Sequence, residues 1–166
     1  MNICMIISRV IIGLLICTII MCIIIIKCII KETISQKKLA QKNYILFLLM
    51  NRWVELKQKN INFSEYFIKQ GYTNIAIYGM GEVGQCLYKE LQHTSVKILY
   101  GIDQNADEIY SEIPVFTIQD ELDKVDLVIV TPVQSFIAIK SLLQDKAVHC
   151  PIVSLEDVLR EVENDL

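Results

Sequence analysis

The chain has 166 residues, 53% of them hydrophobic and 21% charged, and a net charge of −3; that length suits one globular domain plus an appendage. Charge is unevenly spread, with ten Lys and Arg against three Asp and Glu in residues 1–71, and six against sixteen in residues 72–166. So acidic a C-terminal part argues against a nucleic acid partner, and the absence of any C-x-x-C or Cys/His spacing argues against a zinc site or a disulfide framework.

Taken in chain order, the first element is a hydrophobic one. Val10 to Ile26 is a run of 17 residues without a charge, and Lys27 is followed by three more apolar residues. With Lys27 snorkelling outward, Val10 to Ile30 reaches across a hydrocarbon core of roughly 30 Å. A cleaved signal peptide would have a shorter apolar region ending in small residues, so residues 1–31 are expected to form an uncleaved single-pass anchor. Four of the six cysteines, Cys4, Cys17, Cys22 and Cys28, fall in or beside it, where Cys acts as a small apolar residue. Lys27, Lys31, Lys37, Lys38 and Lys42 follow the span, opposed nearby only by Glu32. The positive side stays inside, which predicts a cytoplasmic C-terminal domain. The same basic segment suits anionic lipid headgroups or a solvated helix face.

Residues 32–71 read as a helical juxtamembrane linker. From Lys31 to about Asn60 there is no Gly or Pro, and Leu39, Tyr44, Ile45, Phe47, Leu48, Leu49, Met50, Trp53, Val54 and Leu56 make a broad apolar stripe. Such a stripe packs on the following domain, lies on the membrane, or pairs with a second copy. A short helix follows, with Ser64 as its expected N-cap and Gly71 closing it.

In residues 72–166 the pattern changes to alternating strand and helix. Strands are expected at Asn74–Tyr78, Val96–Ile102, Ile113–Phe116, Asp126–Thr131 and Pro151–Ser154. Helices are expected at Glu82 to about Gln92, Pro132 to about Asp145, and Leu155–Val162. Continuous apolar strands separated by helices mean a parallel sheet covered on both faces. The expected fold is therefore α/β, a compact Rossmann-like sheet of four to five strands in the order 3-2-1-4-5.

Between the first strand and its helix stands "YGMGEVG", with Gly79, Gly81 and Gly84 spaced G-x-G-x-x-G. In a strand–loop–helix setting the first glycine permits the turn and the second admits a pyrophosphate. The third lets helix and strand pack closely, so that the helix N-terminus faces the phosphates. Gly79, Met80, Gly81, Glu82, Val83 and Gly84 are thus candidate nucleotide contacts. Asp103 ends the second strand, where a ribose hydroxyl is gripped, and Thr131 ends the fourth, at the same sheet edge. With no Arg or Lys in 104–123, a dinucleotide here would be NAD rather than NADP. The glycines could equally serve turn and packing alone, Asp103 could start a turn with Gln104 and Asn105, and Glu82 would suit the helix dipole of a ligand-free site.

Catalytic candidates are absent from this reading. His93 and His149 map to the opposite sheet edge, and no Tyr-x-x-x-Lys, P-loop or nucleophile elbow occurs. Pro132, Ser135 and Ser154 lie at the correct edge, where capping and turn roles suffice for them. No second domain follows the sheet to supply substrate groups, so binding without catalysis is expected.

The apolar segment, the basic helix and "IAIYGMGEVG…YGIDQN" together resemble the Rossmann-type nucleotide-binding domains of membrane-bound polysaccharide-biosynthesis proteins. These include sugar-phosphate transferases and nucleotide-sugar dehydratase- or epimerase-like proteins. Their loop reads I-x-G-A-G-x-x-G; Gly79, Gly81 and Gly84 match it, Met80 replaces the alanine, and the resemblance spans roughly 73–155. It implies a membrane-anchored cytoplasmic module binding NAD or a nucleotide-sugar and serving a glycan-synthesis enzyme of the cell envelope. A small oxidoreductase or epimerase completed by oligomerisation, and a ligand-free docking domain, are the alternatives.

Overall fold

The computed structural model, which describes residues 3–146 and 148–164, divides into two compact units, Met1–Leu46 and Phe47–Leu166. In the first unit the chain is helical from Ile3 onward. The expected anchor and the linker as far as Gln58 are one uninterrupted element, α1 (Ile3–Gln58). Its sequence holds no Pro, and Gly13 is its one glycine. The isoleucines that weaken a helix in water do not break one where backbone groups can be satisfied only within the helix. The mean hydropathy of its apolar stretch is 2.9 and none of that stretch is buried within the protein. This helix is long and apolar enough to cross a membrane.

The second unit starts at Phe47, upstream of the boundary at 72 that the change in sequence pattern suggests. Of the broad apolar stripe, Leu49, Trp53 and Leu56 are buried, at i, i+4 and i+7, whereas Phe47, Leu48 and Val54 are exposed. Trp53 packs on Phe63 of α2 (Phe63–Lys69), ring centroids 5.6 Å apart. Asn62, not Ser64, caps α2: its side chain accepts from the Ser64 N–H at 3.1 Å, and Ser64 itself is buried. At the other end Gly71, with φ of +82°, lets the Tyr72 N–H reach the Phe67 carbonyl at 2.8 Å and close the last turn.

Beyond α2 lie β1 (Asn74–Tyr78), α3 (Glu82–Leu91), β2 (Lys97–Ile102), β3 (Val115–Phe116), β4 (Leu127–Val130), α4 (Phe136–Asp145), β5 (Ile152–Ser154) and α5 (Leu155–Asn164). The five strands form one all-parallel sheet in the order β3-β2-β1-β4-β5. In the β1–β2 pairing the register shifts between Ile75 and Ala76, where Leu99 of β2 is skipped. That shift sets Ala76 and Tyr78 on the same core as Tyr100, Ile102, Val128, Val130, Ile139 and Leu143. β3 is two residues shorter than expected, Ile113 and Pro114 remaining in the loop. α4 is preceded by a 3₁₀ turn, Val133–Ser135, in which the Ser135 N–H donates to the Pro132 carbonyl at 2.9 Å. On α3 Leu87 and Leu91 are fully buried, while the adjacent Cys86 is exposed.

Reversal of strand order about β1 leaves a crevice at the carboxyl ends of β1 and β4, bounded by the loops after β1, β2 and β4.

Candidate functional site

The turn from β1 into α3 is set by close contacts. Gly79 has φ of +90°, and a Cβ there would lie 2.6 Å from both Pro132 Cδ and Thr131 Oγ1, so only glycine fits. A Cβ on Gly84 would lie 2.2 Å from the Gly79 carbonyl oxygen, so a side chain would push the helix off the strand. Gly81 is different. It is the N-cap of α3, has φ of −67°, and a Cβ added to it meets nothing within 4 Å. No side chain caps α3 there. The first-turn N–H groups of α3 have no intrahelical acceptors.

Side chains from the neighbouring strands pin the loop. Asp103, just past β2, accepts from the Met80 N–H at 2.9 Å through one carboxylate oxygen and from the Asn105 N–H at 3.1 Å through the other. Both roles considered for Asp103 thus concern the chain itself: it starts the turn toward Asn105 and it holds the glycine loop. Two N–H donors leave lone pairs on that carboxylate for ligand hydroxyls. Thr131, just past β4 and buried, donates to the Gly79 carbonyl at 2.7 Å, with the Tyr78 carbonyl at 3.2 Å. The Gly79 N–H in turn donates to the Ile102 carbonyl at 2.8 Å. Loop, β2 end and β4 end are therefore one hydrogen-bonded assembly.

Met80, the residue that departs from the small alanine of similar loops, has a structural explanation. Its side chain is 1% exposed and lies over Gly101 of β2, where an added Cβ would sit 2.3 Å from Met80 Cγ. The larger side chain on the loop is matched by the missing one on the strand. Glu82 and Val83 open α3, Glu82 exposed and Val83 half-buried. A carboxylate there interacts favourably with the helix dipole.

Beside the loop is a cleft of about 410 Å³, lined by Tyr78, Gly79, Asp103, Gln104, Asn105, Pro132, Ser135, Ala138, Ile139 and Leu142. This is within the range of small-molecule sites. Among the described residues lining it, none is basic. Tyr78, Gln104 and the α4 wall of Ala138, Ile139 and Leu142 escape sequence reasoning, because they become neighbours only when α4 settles against the β2 loop. One signal was available: Tyr78 is the one aromatic residue of β1 and directly precedes Gly79. Burial pushes the Tyr78 phenol up, Asp103 adds to that, and a hydrogen bond with Gln104 opposes it. The hydroxyl thus stays protonated.

The β2–β3 loop closes against α3 on its other side. Gln85 Nε2 donates to the Tyr110 carbonyl at 3.3 Å, and the Tyr88 hydroxyl to Glu112 at 3.2 Å. Ser154 caps α5, accepting from the Asp157 N–H at 3.0 Å, whereas Ser135 precedes α4 without a side-chain cap bond. A second cavity, about 670 Å³, lies where the chain enters β4 and β5, with Leu122, Asp126, His149 and Cys150 in its lining. Tyr100 also lines it; burial, with the nearby Cys150 and Asp123, pushes its phenol up to about 12.

The Rossmann-type dinucleotide geometry can be tested on these residues. In that geometry the second glycine of the loop is where a phosphate approaches backbone; here the space at Gly81 is open, and Asp103 lines the cleft. Those two features fit such a ligand; exposed Glu82 does not assist it. Comparison with protein-family models, with curated proteins and with solved structures found no match.

Proposed function

We propose that this chain is a membrane-tethered nucleotide-binding module. Its ligand is of the NAD or nucleotide-sugar class, and its setting is cell-envelope polysaccharide biosynthesis. The observation that carries the reading is Gly81. The loop is packed shut at Gly79 and Gly84 and open at the one glycine where a phosphate would approach the α3 N-terminus. The first-turn N–H groups of α3 would hold a phosphate oxygen, and Asp103 would accept from sugar hydroxyls. Tyr78, Ala138, Ile139 and Leu142 would flank the base in the cleft. A nicotinamide, if bound, supplies hydride chemistry, and a nucleotide-sugar supplies an activated glycosyl group; the residues named here bind and orient.

Residues 10–30 of α1 span the membrane once in this reading. The lysines that follow keep the C-terminal unit in the cytoplasm. Exposed Glu82, stabilised by the α3 dipole without any ligand, favours a second reading in which the domain docks a partner protein and its site stays empty.

Calorimetric titration of the full-length protein in detergent separates the two readings. NAD, UDP, a UDP-sugar and CoA are added in turn up to millimolar concentration. Saturable heat with NAD or the UDP ligands is expected, and lack of heat with every one of the four overturns the nucleotide reading.

A further inference from the structure

The basic segment after the span is organised. Lys27, Lys31, Lys38 and Lys42 are separated by four, seven and four residues in the continuous helix α1. At about 100° per residue these spacings return to one face, and the four lysines fall within a sector of about 60°. They form a stripe about 22 Å long on one side of the helix. All four are exposed. Lys37 points about 100° away from the stripe's centre. Glu32, the one acid between 27 and 42, lies off the stripe on another side, and its carboxylate accepts from Gln36 at 3.2 Å.

We propose that this lysine face is a binding surface for anionic phospholipid headgroups. The proposal rests on the reading that residues 10–30 cross the membrane. That reading puts Lys27 and Lys31 at the headgroup level, where a lysine ammonium is drawn to lipid phosphate. A stripe confined to one face, rather than lysines scattered around the helix, matches a surface approached from one side. Ile34, about 20° outside the lysine sector, is exposed as well and can enter the interfacial layer. Alignment by charge on one face fixes the rotation of the helix about its axis, which a uniformly apolar span leaves free.

The test uses the full-length protein reconstituted into vesicles of phosphatidylcholine. Spin-labelled phosphatidylglycerol and spin-labelled phosphatidylcholine are compared as probes of the lipid shell. The wild type should select the anionic probe about five-fold or more, the effect of a single lysine at a charged surface, and salt should weaken the selection. Replacing Lys27, Lys31, Lys38 and Lys42 together by Gln should abolish it, whereas Lys37→Gln should retain it. Equal association of both probes with the wild type overturns the proposal, as does selection that survives the fourfold replacement. Resistance to alkaline carbonate extraction, measured on the same vesicles, reports insertion by itself. Loss of insertion thus refutes the spanning reading, and insertion without selection refutes the lysine face.

Discussion

Replacing two of the three loop glycines, one at a time, separates folding from ligand binding. In Gly84→Ala the new Cβ meets the Gly79 carbonyl oxygen at 2.2 Å, more than 1 Å inside the ordinary contact distance of 3.4 Å. The opposing atom is backbone held by Thr131, so α3 must shift, at an overpacking cost of about 2–3 kcal/mol. The gain in helix propensity over glycine returns about 1 kcal/mol. The net loss is about 1–2 kcal/mol, and in a unit spanning Phe47–Leu166 it lowers Tm by roughly 4–10 °C. In Gly81→Ala the Cβ meets nothing and φ of −67° suits alanine. A poorer N-cap and a less flexible unfolded chain roughly cancel, leaving stability within about 0.5 kcal/mol. Circular-dichroism melts of the two variants, beside calorimetry with the nucleotide that binds the wild type, give the readout. Gly81→Ala should melt with the wild type yet bind at least about ten-fold more weakly, because its methyl occupies the phosphate approach. Equal destabilisation by the two changes would refute the packing argument. Unchanged affinity in Gly81→Ala would refute the ligand site.

Other outcomes follow from the contacts around the loop. Thr131→Val keeps the shape but removes the donor to the Gly79 carbonyl, and should cost about 1–3 kcal/mol in chemical denaturation. Gly101→Ala should destabilise by about 1–3 kcal/mol, and by much less in a Met80→Ala background, because the clash is with the Met80 side chain; additive losses in a double-mutant cycle would reject the pairing. Asp126 accepts from the Asn74 N–H at 2.8 Å and the Thr73 N–H at 2.9 Å, which hold its carboxyl below the usual value of 3.8. A depressed folded pKa means that its contribution is complete above pH 3.8 and is lost as pH falls through the folded value, so the Tm gap between wild type and Asp126→Ala should be full at pH 7 and shrink in acid below pH 3.8. Cys86 is exposed on the C-terminal unit, so in a variant whose other cysteines are replaced by serine a membrane-impermeant maleimide should label inverted vesicles and spare right-side-out ones; the reverse pattern would overturn the cytoplasmic placement.

The strands were legible because a parallel sheet buries both faces and so writes unbroken apolar runs. "NIAIY" and "DLVIV" can be little else, and the reversal of order about β1 follows from short right-handed crossovers. The end of α1 and the start of α2 were less legible: Asn62 and Ser64 are both good caps, and the choice depends on which one the core buries. For the site, the sequence placed the glycines, Asp103 and Thr131 at one edge. It could not show that Asp103 bonds Met80 or that Thr131 clasps Gly79. Those bonds join residues 23 and 52 positions apart, and local pattern does not reach that far. Met80 illustrates the same gap, since its fit depends on a glycine in the next strand.

Asp103 holds the Met80 N–H and Thr131 the Gly79 carbonyl using the protein's own groups, so the glycine loop has its final shape before anything enters the cleft. A ligand arriving there meets no segment that must first be ordered. Association should then proceed in one step, at a rate set by diffusion and orientation, with differences between ligands appearing in how slowly they leave. The same bonds make Asp103 a poor diagnostic residue. Removing its carboxylate would untie the loop and take away the proposed sugar contact together, whereas Gly81 can be altered without disturbing either.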